Sequence, residues 1–370
     1  MRGLYIHIPF CKSICSYCDF PKRLCDPKLY DKYIQRVIEE LDYYENELKD
    51  IETVYIGGGT PNAISLEALE RLFKRIKPYL LNSKENSIEL NPELVTEELC
   101  DLLFDYNFNR VSLGVETVDP ESIKILNRHH NKETIKNAIH LLRYVGIYNI
   151  NCDLIFGIPY TDLDILKDDL DFVTSLNPTH LSCYSLIIED KTVLSYQVEK
   201  GKIEPLDDDL CADMYDFIND YLRKKGYKHY EVSNYAKLGY ESIHNKLYWE
   251  EKEYLGIGAG ASGFINKIRY TNHRGLNSYF DEFLDDCETI TLEAEKNEFM
   301  MLGLRLVEGV SITEYQKRYH NSPFDDFPVI NQLINRGLLE VFGDNIRIPE
   351  NKLFLGNIVW SEFVWKDRKE

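Results

Sequence analysis

Three cysteines near the start of the chain have the type and spacing of ligands to a metal centre. Cys11, Cys15 and Cys18 follow a short predicted strand in which Ile6 and Ile8 point to the same side. A structural zinc site takes four protein ligands, so three cysteines alone leave a single metal ion unsaturated. A [4Fe–4S] cluster fits better, because three thiolates hold three of its irons and leave the fourth free for a small molecule.

A zinc site is the alternative interpretation of this loop. A zinc knuckle could be completed by His7 or Cys25, which lie just before and just after the three cysteines. The chain has nine cysteines, an odd number, and we expect reduced thiols rather than a disulfide framework. Most of the others are expected to be small buried side chains, namely Cys100, Cys152, Cys183, Cys211 and Cys287.

Composition and charge restrict the class of partner. The formal net charge is −19, which argues against a nucleic-acid backbone or an anionic membrane surface as a partner. We find no apolar run long enough to cross a bilayer, and the first residues do not resemble a signal peptide. We therefore expect a cytoplasmic protein that neither binds nucleic acid nor inserts directly into a membrane.

The elements that must position the cysteines follow a regular pattern. Strand and helix alternate six times, in units of roughly thirty residues, which predicts an α/β fold with a parallel sheet and right-handed crossovers. We favour a curved, partial (β/α)6 barrel over an open doubly wound sheet, although sequence separates these two poorly. The strands after the first are predicted at 53–61, 87–92, 110–116, 149–159 and 180–188.

Three domains are predicted from the change of pattern along the chain. Residues 1–240 form the barrel core, and residues 241–290 form a connecting segment that contains His244-Asn-Lys-Leu-Tyr248-Trp249. Residues 291–370 read as three helices and two short strands, a small winged-helix-like α+β module. Because the chain is acidic, we expect this module to act as a lid or a partner-docking surface rather than to bind DNA.

Polar residues and glycines stand where the predicted strands end. In a βα barrel the reactive groups gather at the carboxyl ends of the strands. The second strand ends in Gly58-Gly59-Thr60, and the next three strands carry Glu89, Glu116 and Asp153, in that order. A triple glycine alone is a weak signal, since glycine turns after strands are common. The whole set beside a cluster motif predicts a ligand site.

The spacing Cys11-x3-Cys15-x2-Cys18 resembles that of the radical S-adenosylmethionine (SAM) enzymes, and further motifs are similar to the oxygen-independent coproporphyrinogen III oxidase superfamily. These motifs are Tyr5-x-His7-x-Pro9-Phe-Cys11, Gly57–Pro61, Ser112-Leu-Gly114-Val, Arg128-x-His130 and Asp153-Leu-Ile-x-Gly157-x-Pro159. The resemblance implies a partial barrel in which SAM chelates the open iron. It implies SAM contacts from Tyr5, Tyr17, Gly58, Gly59, Thr60, Glu89, Glu116, Arg128, Asp153 and Ile187.

Two branches of that superfamily are distinguished by single positions. The oxidase branch carries a further cysteine two residues past the third ligand, where this chain has Phe20. The HemW haem chaperones have Cys-Asp-Phe and His-Asn-x-x-Tyr-Trp, both present here. Similarity to HemW implies that the chain binds haem or another tetrapyrrole and delivers it to haem-accepting proteins, with membrane-associated respiratory enzymes as candidate acceptors. The alternative is a SAM-dependent oxidase that decarboxylates a tetrapyrrole, so the sequence leaves enzyme activity open.

Three positions carry their own alternatives. His244 is the predicted axial ligand of haem iron, with His7 as a second candidate; the alternative for His244 is a capping or core histidine that is hydrogen-bonded to the backbone. Arg128 can pair with the carboxylate of SAM or form a surface ion pair. Glu116 departs from the glutamine usual in the family; a carboxylate would repel SAM if it lies near the carboxylate of SAM and would be harmless if it lies near a ribose hydroxyl.

Overall fold

The computed structural model describes residues 2–364; residue 1 and residues 365–370, which belong to the first and last predicted domains, lie outside the described part. Six parallel strands follow one another in chain order, each paired with the next. The α/β prediction is confirmed. The strands are β1 (Arg2–Ile8), β2 (Ile51–Gly58), β3 (Glu85–Leu90), β4 (Arg110–Glu116), β5 (Asn149–Phe156) and β6 (His180–Ser185).

The two faces of these strands differ in chemistry. Alternate residues such as Ile6, Val54 and Leu113 are fully buried and pack in one core with the helices that cross over between strands. The other face carries polar residues. The crossover helices are Pro27–Tyr43, Leu66–Asn82, Glu97–Asp105, Pro120–Ile125, Lys132–Tyr144 and Leu163–Ser175. Each begins at a side-chain cap, for example Asp26, which accepts from the backbone N–H of Lys28.

The polar face is concave. Side chains from β2, β3, β4, β5 and β6 line a single cavity, which requires the sheet to curve around it. The outermost strands of the sheet do not pair with each other in the described residues, so the barrel is open. This arrangement confirms the partial barrel over the doubly wound alternative, in which helices would cover both faces.

The sheet is larger than the six predicted strands. Beyond β6 come β8 (Asn234–Ala236) and β7 (Lys228–Glu231), both antiparallel. Beyond β1 come β9 (Glu253–Ile257), parallel to β1, and then β10 (Ser262–Ile265), β11 (Ile268–Asn272) and β12 (Leu284–Thr289). The run of glycines from 256 to 263 obscured the two-residue alternation of β9 and β10.

Further helices complete the barrel region. Val193–Glu199 and Asp208–Lys224 follow β6, Ile243–Trp249 precedes β9, and Leu276–Asp281 connects β11 to β12. None of the helices in the described range is both long enough and apolar enough to cross a membrane.

The C-terminal region has a separate hydrophobic core, which includes Met300, Tyr315, Leu333 and Phe363. Its small antiparallel sheet is formed by β13 (Val310–Ser311), β15 (Asn345–Arg347) and β14 (Glu340–Phe342), in that spatial order. The predicted helices and the last two strands are observed, and β13 is an addition. The helices are Leu292–Gly303, Ile312–Tyr319, Pro323–Asp326, Val329–Asn335 and Gly356–Trp360.

Candidate functional site

The three cysteines open onto the barrel cavity, which has a volume of about 520 Å³. We call it the barrel cavity throughout. It lies at the carboxyl ends of the parallel strands, as the sequence predicted for reactive groups. Its lining includes Cys11, Cys15, Tyr17, Cys18, Gly58, Gly59, Thr60, Glu89, Glu116, Arg128, Asp153 and Ile187.

The cysteine loop is fixed at both ends by backbone hydrogen bonds. The short strand Phe10–Cys11 pairs with Arg23–Leu24, and the N–H of Cys25 donates to the carbonyl of Cys11 at 2.9 Å. Burial raises the pKa of the Cys11 thiol to about 11, with smaller contributions from neighbouring cysteines. A bound cation is therefore needed to hold this sulfur as a thiolate.

The donor set fits a cluster. Within residues 2–364, no three His, Cys, Asp or Glu side chains lie close enough together to hold one metal ion. A cluster makes a different demand, because each cysteine binds a separate iron and the sulfurs need not converge on a point. Three thiols that face one cavity satisfy that demand.

The remaining cysteines differ in burial. Cys100, Cys152 and Cys183 are buried as expected. Cys287 is exposed on the edge strand β12, so its predicted burial is wrong, since that strand was not recognised from the sequence.

The glycine turn packs directly against the cysteine loop. Gly58 has a φ of +119°, and a Cβ there would lie 2.6 Å from the ring of His7. A Cβ on Gly59 would lie 2.9 Å from the sulfur of Cys11. The N–H groups of Gly58, Gly59 and Thr60 donate to the Glu89 carboxylate, the Ile8 carbonyl and the Phe10 carbonyl, respectively. With its donors engaged, the turn suits a ligand's ammonium better than its carboxylate.

Two carboxylates on the cavity wall are held by short hydrogen bonds. Glu89 accepts from the hydroxyl of Tyr55 at 2.8 Å, and burial raises its pKa to about 7. Asp153 accepts from the hydroxyl of Ser112 and the amide of Asn151, both at 2.8 Å, and burial raises its pKa as well. Fixed carboxylates of this kind are suited to hydroxyl groups of a ligand.

Glu116 and Arg128 meet at the end of β4. Glu116 has a φ of +61°, unusual for a residue other than glycine, and the strand register shifts beside it. Burial raises the pKa of Glu116 to about 7, while the guanidinium of Arg128 opposes that shift. A Cβ on Gly114 would lie 3.0 Å from Nη2 of Arg128 and 3.2 Å from Oε1 of Glu116, so both side chains cover this glycine.

Arg128 connects the cavity wall to the cysteine loop. Its Nη1 donates to the sulfur of Cys15 at 3.5 Å, and its Nη2 donates to the carbonyl of Gly114. Its Nε is buried and has no partner among the described residues. A surface ion pair is thus excluded as the explanation of Arg128, which lines the barrel cavity with one buried donor left without a partner.

Tyr5 is the predicted SAM contact that the structure does not place on the barrel cavity. Its ring lies in register with Tyr55 on the same face of the sheet, but it lines a neighbouring cavity. Its hydroxyl is 3.0 Å from Nδ1 of His7, and Nε2 of His7 is 2.7 Å from the carbonyl of Pro21. Both ring nitrogens of His7 therefore have partners.

His244 lies at the opposite end of the barrel from the cysteines. Its Nδ1 is 2.7 Å from the hydroxyl of Thr53, at the start of β2, and its Nε2 is 2.8 Å from that of Tyr248. The residue is fully buried. Neither nitrogen is open to an iron atom in this arrangement, and the haem-ligand prediction stays untested.

Sequence reasoning missed several inward-facing side chains. Tyr55, Asn151 and Ser182 line the barrel cavity from the interior of strands, and Arg110 lines it from the start of β4. The available signal was the two-residue alternation itself, because Asn151 and Asp153 must share a face.

Comparisons with known proteins agree with this geometry. The family model described as the radical SAM superfamily matches residues 5–173, and the one described as the HemN C-terminal domain matches residues 290–355. The coproporphyrinogen III oxidase HemN from Escherichia coli, a radical SAM enzyme, superposes with a TM-score of 0.84, covering 98% of this chain and 89% of its own at 21% identity. The fold is therefore the radical SAM fold of HemN.

Sequence relatives narrow the assignment. The chain is 38% identical to the heme chaperone HemW of Lactococcus lactis subsp. lactis, over 99% of this chain and 98% of that protein. It is 34% identical to HemW of Bacillus subtilis, over 98% and 99%, and 32% identical to HemW of Escherichia coli, over 96% and 97%. The chain belongs to the HemW heme chaperone family.

Proposed function

We propose that this protein binds a [4Fe–4S] cluster, SAM and haem, and that it delivers haem to acceptor proteins. The observation that carries the proposal is the single barrel cavity onto which three cysteines, the glycine turn, three carboxylates and Arg128 all open. A site with this combination of donors suits a cluster with one open iron and a zwitterionic ligand that bears a ribose.

Each part of the cavity has its own role in the proposal. Cys11, Cys15 and Cys18 hold the cluster, and when bound with SAM the cluster supplies one-electron chemistry. The carbonyl groups of the glycine turn accept the ligand's ammonium, and the guanidinium of Arg128, which lines the cavity, pairs with its carboxylate. Glu89 and Asp153 accept from the ribose hydroxyls, and Tyr17 and Ile187 cover the mouth.

The chaperone role is supported by two observations. The sequence relatives that match over almost the whole chain are named heme chaperones. Phe20 stands where the oxidase branch has a further cysteine. We propose haem-accepting proteins as partners, among them membrane-associated respiratory enzymes. The acidic charge of −19 supports the absence of a nucleic-acid partner, and we propose a cytoplasmic location.

Haem uptake and oxidase activity separate the chaperone from the alternative. Anaerobically reconstituted protein is titrated with hemin, mixed with an apo-haemoprotein, and assayed in parallel with coproporphyrinogen III, SAM and a reductant. We expect haem to be bound and passed on, and no protoporphyrinogen to form. Formation of protoporphyrinogen together with 5′-deoxyadenosine would overturn the chaperone proposal in favour of an oxidase.

A further inference from the structure

A series of polar side chains leads from Asp153 into the wall of the barrel. Asp153 and Asn151 line the barrel cavity, and the three residues behind them are buried. The series crosses from β5 to β6 and β7 and ends just before the helix Ile243–Trp249. In order from the cavity its members are Asp153, Asn151, His180, Tyr230 and Ser242, which we call the hydrogen-bond chain.

Each member of the hydrogen-bond chain lies within hydrogen-bond distance of the next. The amide Nδ2 of Asn151 lies 2.8 Å from Oδ1 of Asp153, and the amide Oδ1 lies 2.7 Å from Nδ1 of His180. The Nε2 of His180 lies 2.8 Å from the hydroxyl of Tyr230. That hydroxyl accepts from the backbone N–H of Ser242 at 3.2 Å. The chain therefore runs unbroken from a backbone N–H to a carboxylate in the cavity.

The chemistry of its members gives each hydrogen bond in the chain one direction. An ionised carboxylate only accepts, so the NH2 group of Asn151 faces Asp153 and the amide oxygen faces His180. Burial lowers the pKa of His180 well below its usual range, and the charge of Arg110 adds to that shift, which leaves a neutral imidazole with one N–H. That N–H is on Nδ1, where it donates to Asn151, and Nε2 accepts from the hydroxyl of Tyr230.

His180 is the group that keeps the amide of Asn151 from turning over. The hydroxyls of Ser112 and Ser182 also lie within hydrogen-bond distance of this amide, but a hydroxyl both donates and accepts and does not fix its direction. A reversed amide would set its oxygen against the carboxylate of Asp153 and its NH2 group against the N–H of His180. In the observed direction Asn151 donates to one oxygen of Asp153, while Ser112 donates to the other at 2.8 Å.

We propose that His180 and Tyr230 are positioning residues for the ribose of SAM. They fix the direction of the Asn151 amide, and this amide fixes the Asp153 carboxylate that accepts from the ribose hydroxyls. The inference rests on the proposed function, because it concerns the carboxylate that we assign to the ribose. Neither His180 nor Tyr230 lines the barrel cavity, so their effect on SAM is confined to the contact that Asp153 makes.

Anaerobic equilibrium dialysis of reconstituted protein with SAM and with its 2′,3′-dideoxy analogue tests the assignment. The analogue lacks the ribose hydroxyls, so its affinity reports every contribution to binding except theirs. His180→Leu removes both ring nitrogens and should weaken SAM binding about tenfold while leaving the affinity for the analogue unchanged. His180→Asn keeps a donor at the position of Nδ1 and should restore most of the affinity for SAM. The control His140→Leu changes an exposed histidine and should bind both ligands as the wild type does.

Tyr230→Phe tests the same chain from its other end and keeps the size of the buried ring. Without the hydroxyl, the imidazole of His180 can carry its proton on either nitrogen, and Asn151 is no longer held in one direction. We expect SAM to bind about threefold more weakly and the analogue to bind normally.

An equal loss of affinity for SAM and for the analogue would overturn the positioning role, because a general structural defect weakens both. Wild-type affinity for SAM in both His180→Leu and Tyr230→Phe would overturn it as well. Failure of the wild type to bind SAM at all would instead overturn the proposed function on which the inference rests.

Discussion

At the scale of single residues, the charge balance around Arg128 is the distinctive feature of this chain. Arg128 lines the barrel cavity beside Gly114 of β4, and the carboxylate of Glu116 lies over the same glycine. Glu116 therefore competes with any carboxylate that a ligand brings to Arg128. A glutamine would remove this competition and keep the shape of the side chain.

Glu116→Gln is accordingly expected to tighten SAM binding. Removing one buried negative charge near the ligand's carboxylate should gain about 1 kcal/mol, or about fivefold in affinity. Anaerobic equilibrium dialysis with reconstituted protein measures the change. Weaker binding by Glu116→Gln would show that the carboxylate itself contacts the ligand.

The cysteines give a second prediction at this scale. Cys11→Ser should lose the cluster, because a serine hydroxyl does not replace a thiolate on iron. Cys287→Ser is the matched control, since Cys287 is exposed on β12, away from the cavity. Iron and acid-labile sulfide per chain should fall sharply in the first variant and stay at the wild-type level in the second. Equal loss in both variants would contradict the assignment.

Most of these residues could be predicted from the sequence, since strand ends and cysteine spacing are local signals. One partner of His244 could not. Tyr248 lies four residues on in the same helix, but Thr53 reaches the other ring nitrogen from β2, and only the fold brings it there. For the same reason Tyr5 could not be assigned to one of two adjacent cavities.

At the scale of elements, the helix Ile243–Trp249 closes the amino-terminal end of the barrel. Glu85, at the start of β3, accepts from the backbone N–H groups of Ile243 and His244 at 3.0 and 2.9 Å and from the hydroxyl of Ser242 at 3.2 Å. The guanidinium of Arg110 lies 3.9 Å from the same carboxylate. This buried carboxylate fixes the start of the helix whose Tyr248 and Trp249 line the neighbouring cavity together with Tyr5.

Glu85→Gln should therefore destabilise the protein by about 2–4 kcal/mol, because an amide leaves Arg110 without its counter-charge and loses a hydrogen-bond acceptor. Glu97→Gln, at an exposed position in the first turn of a helix, should change the free energy of unfolding by less than about 0.5 kcal/mol. Denaturation in urea measures both. If Glu85→Gln lowers the free energy of unfolding by no more than Glu97→Gln does, Glu85 does not hold the helix.

The alternation of strand and helix made the six central strands predictable. The strands β9 and β10 were not, because the chain from 256 to 263 is rich in glycine. A Cβ on Gly256 would lie 1.9 Å from the carbonyl oxygen of Ser262. Glycines required for such close approach erase the hydrophobic pattern that marks a strand.

At the scale of the whole molecule, buried carboxylates dominate the response to pH near neutrality. Burial raises the pKa of Glu40 and of Glu231 to about 7, although both accept hydrogen bonds. The unfolded carboxyl titrates at about 4.3, so above that pH the folded state binds more protons and stability falls as pH rises through 7. Burial lowers the pKa of His7 to about 4. This shift makes stability rise with pH, but only below the unfolded histidine pKa of about 6.5.

The ligand-free protein should thus lose stability between pH 6.5 and 8. Glu40→Gln removes one of the titrating groups and should flatten this slope, whatever its effect on absolute stability. Urea unfolding at several pH values measures how the free energy of unfolding changes with pH in the wild type and in Glu40→Gln. A free energy of unfolding that rises over this interval would contradict the account.

The most direct test of the central claim is the electron paramagnetic resonance spectrum of the reduced, reconstituted protein with and without SAM. Under the proposed function, Cys11, Cys15 and Cys18 would hold the cluster, and its open iron would bind SAM in the barrel cavity. We therefore expect a [4Fe–4S] signal in the wild type that changes when SAM is added. A cluster signal that SAM leaves unaltered at saturating concentration would contradict it.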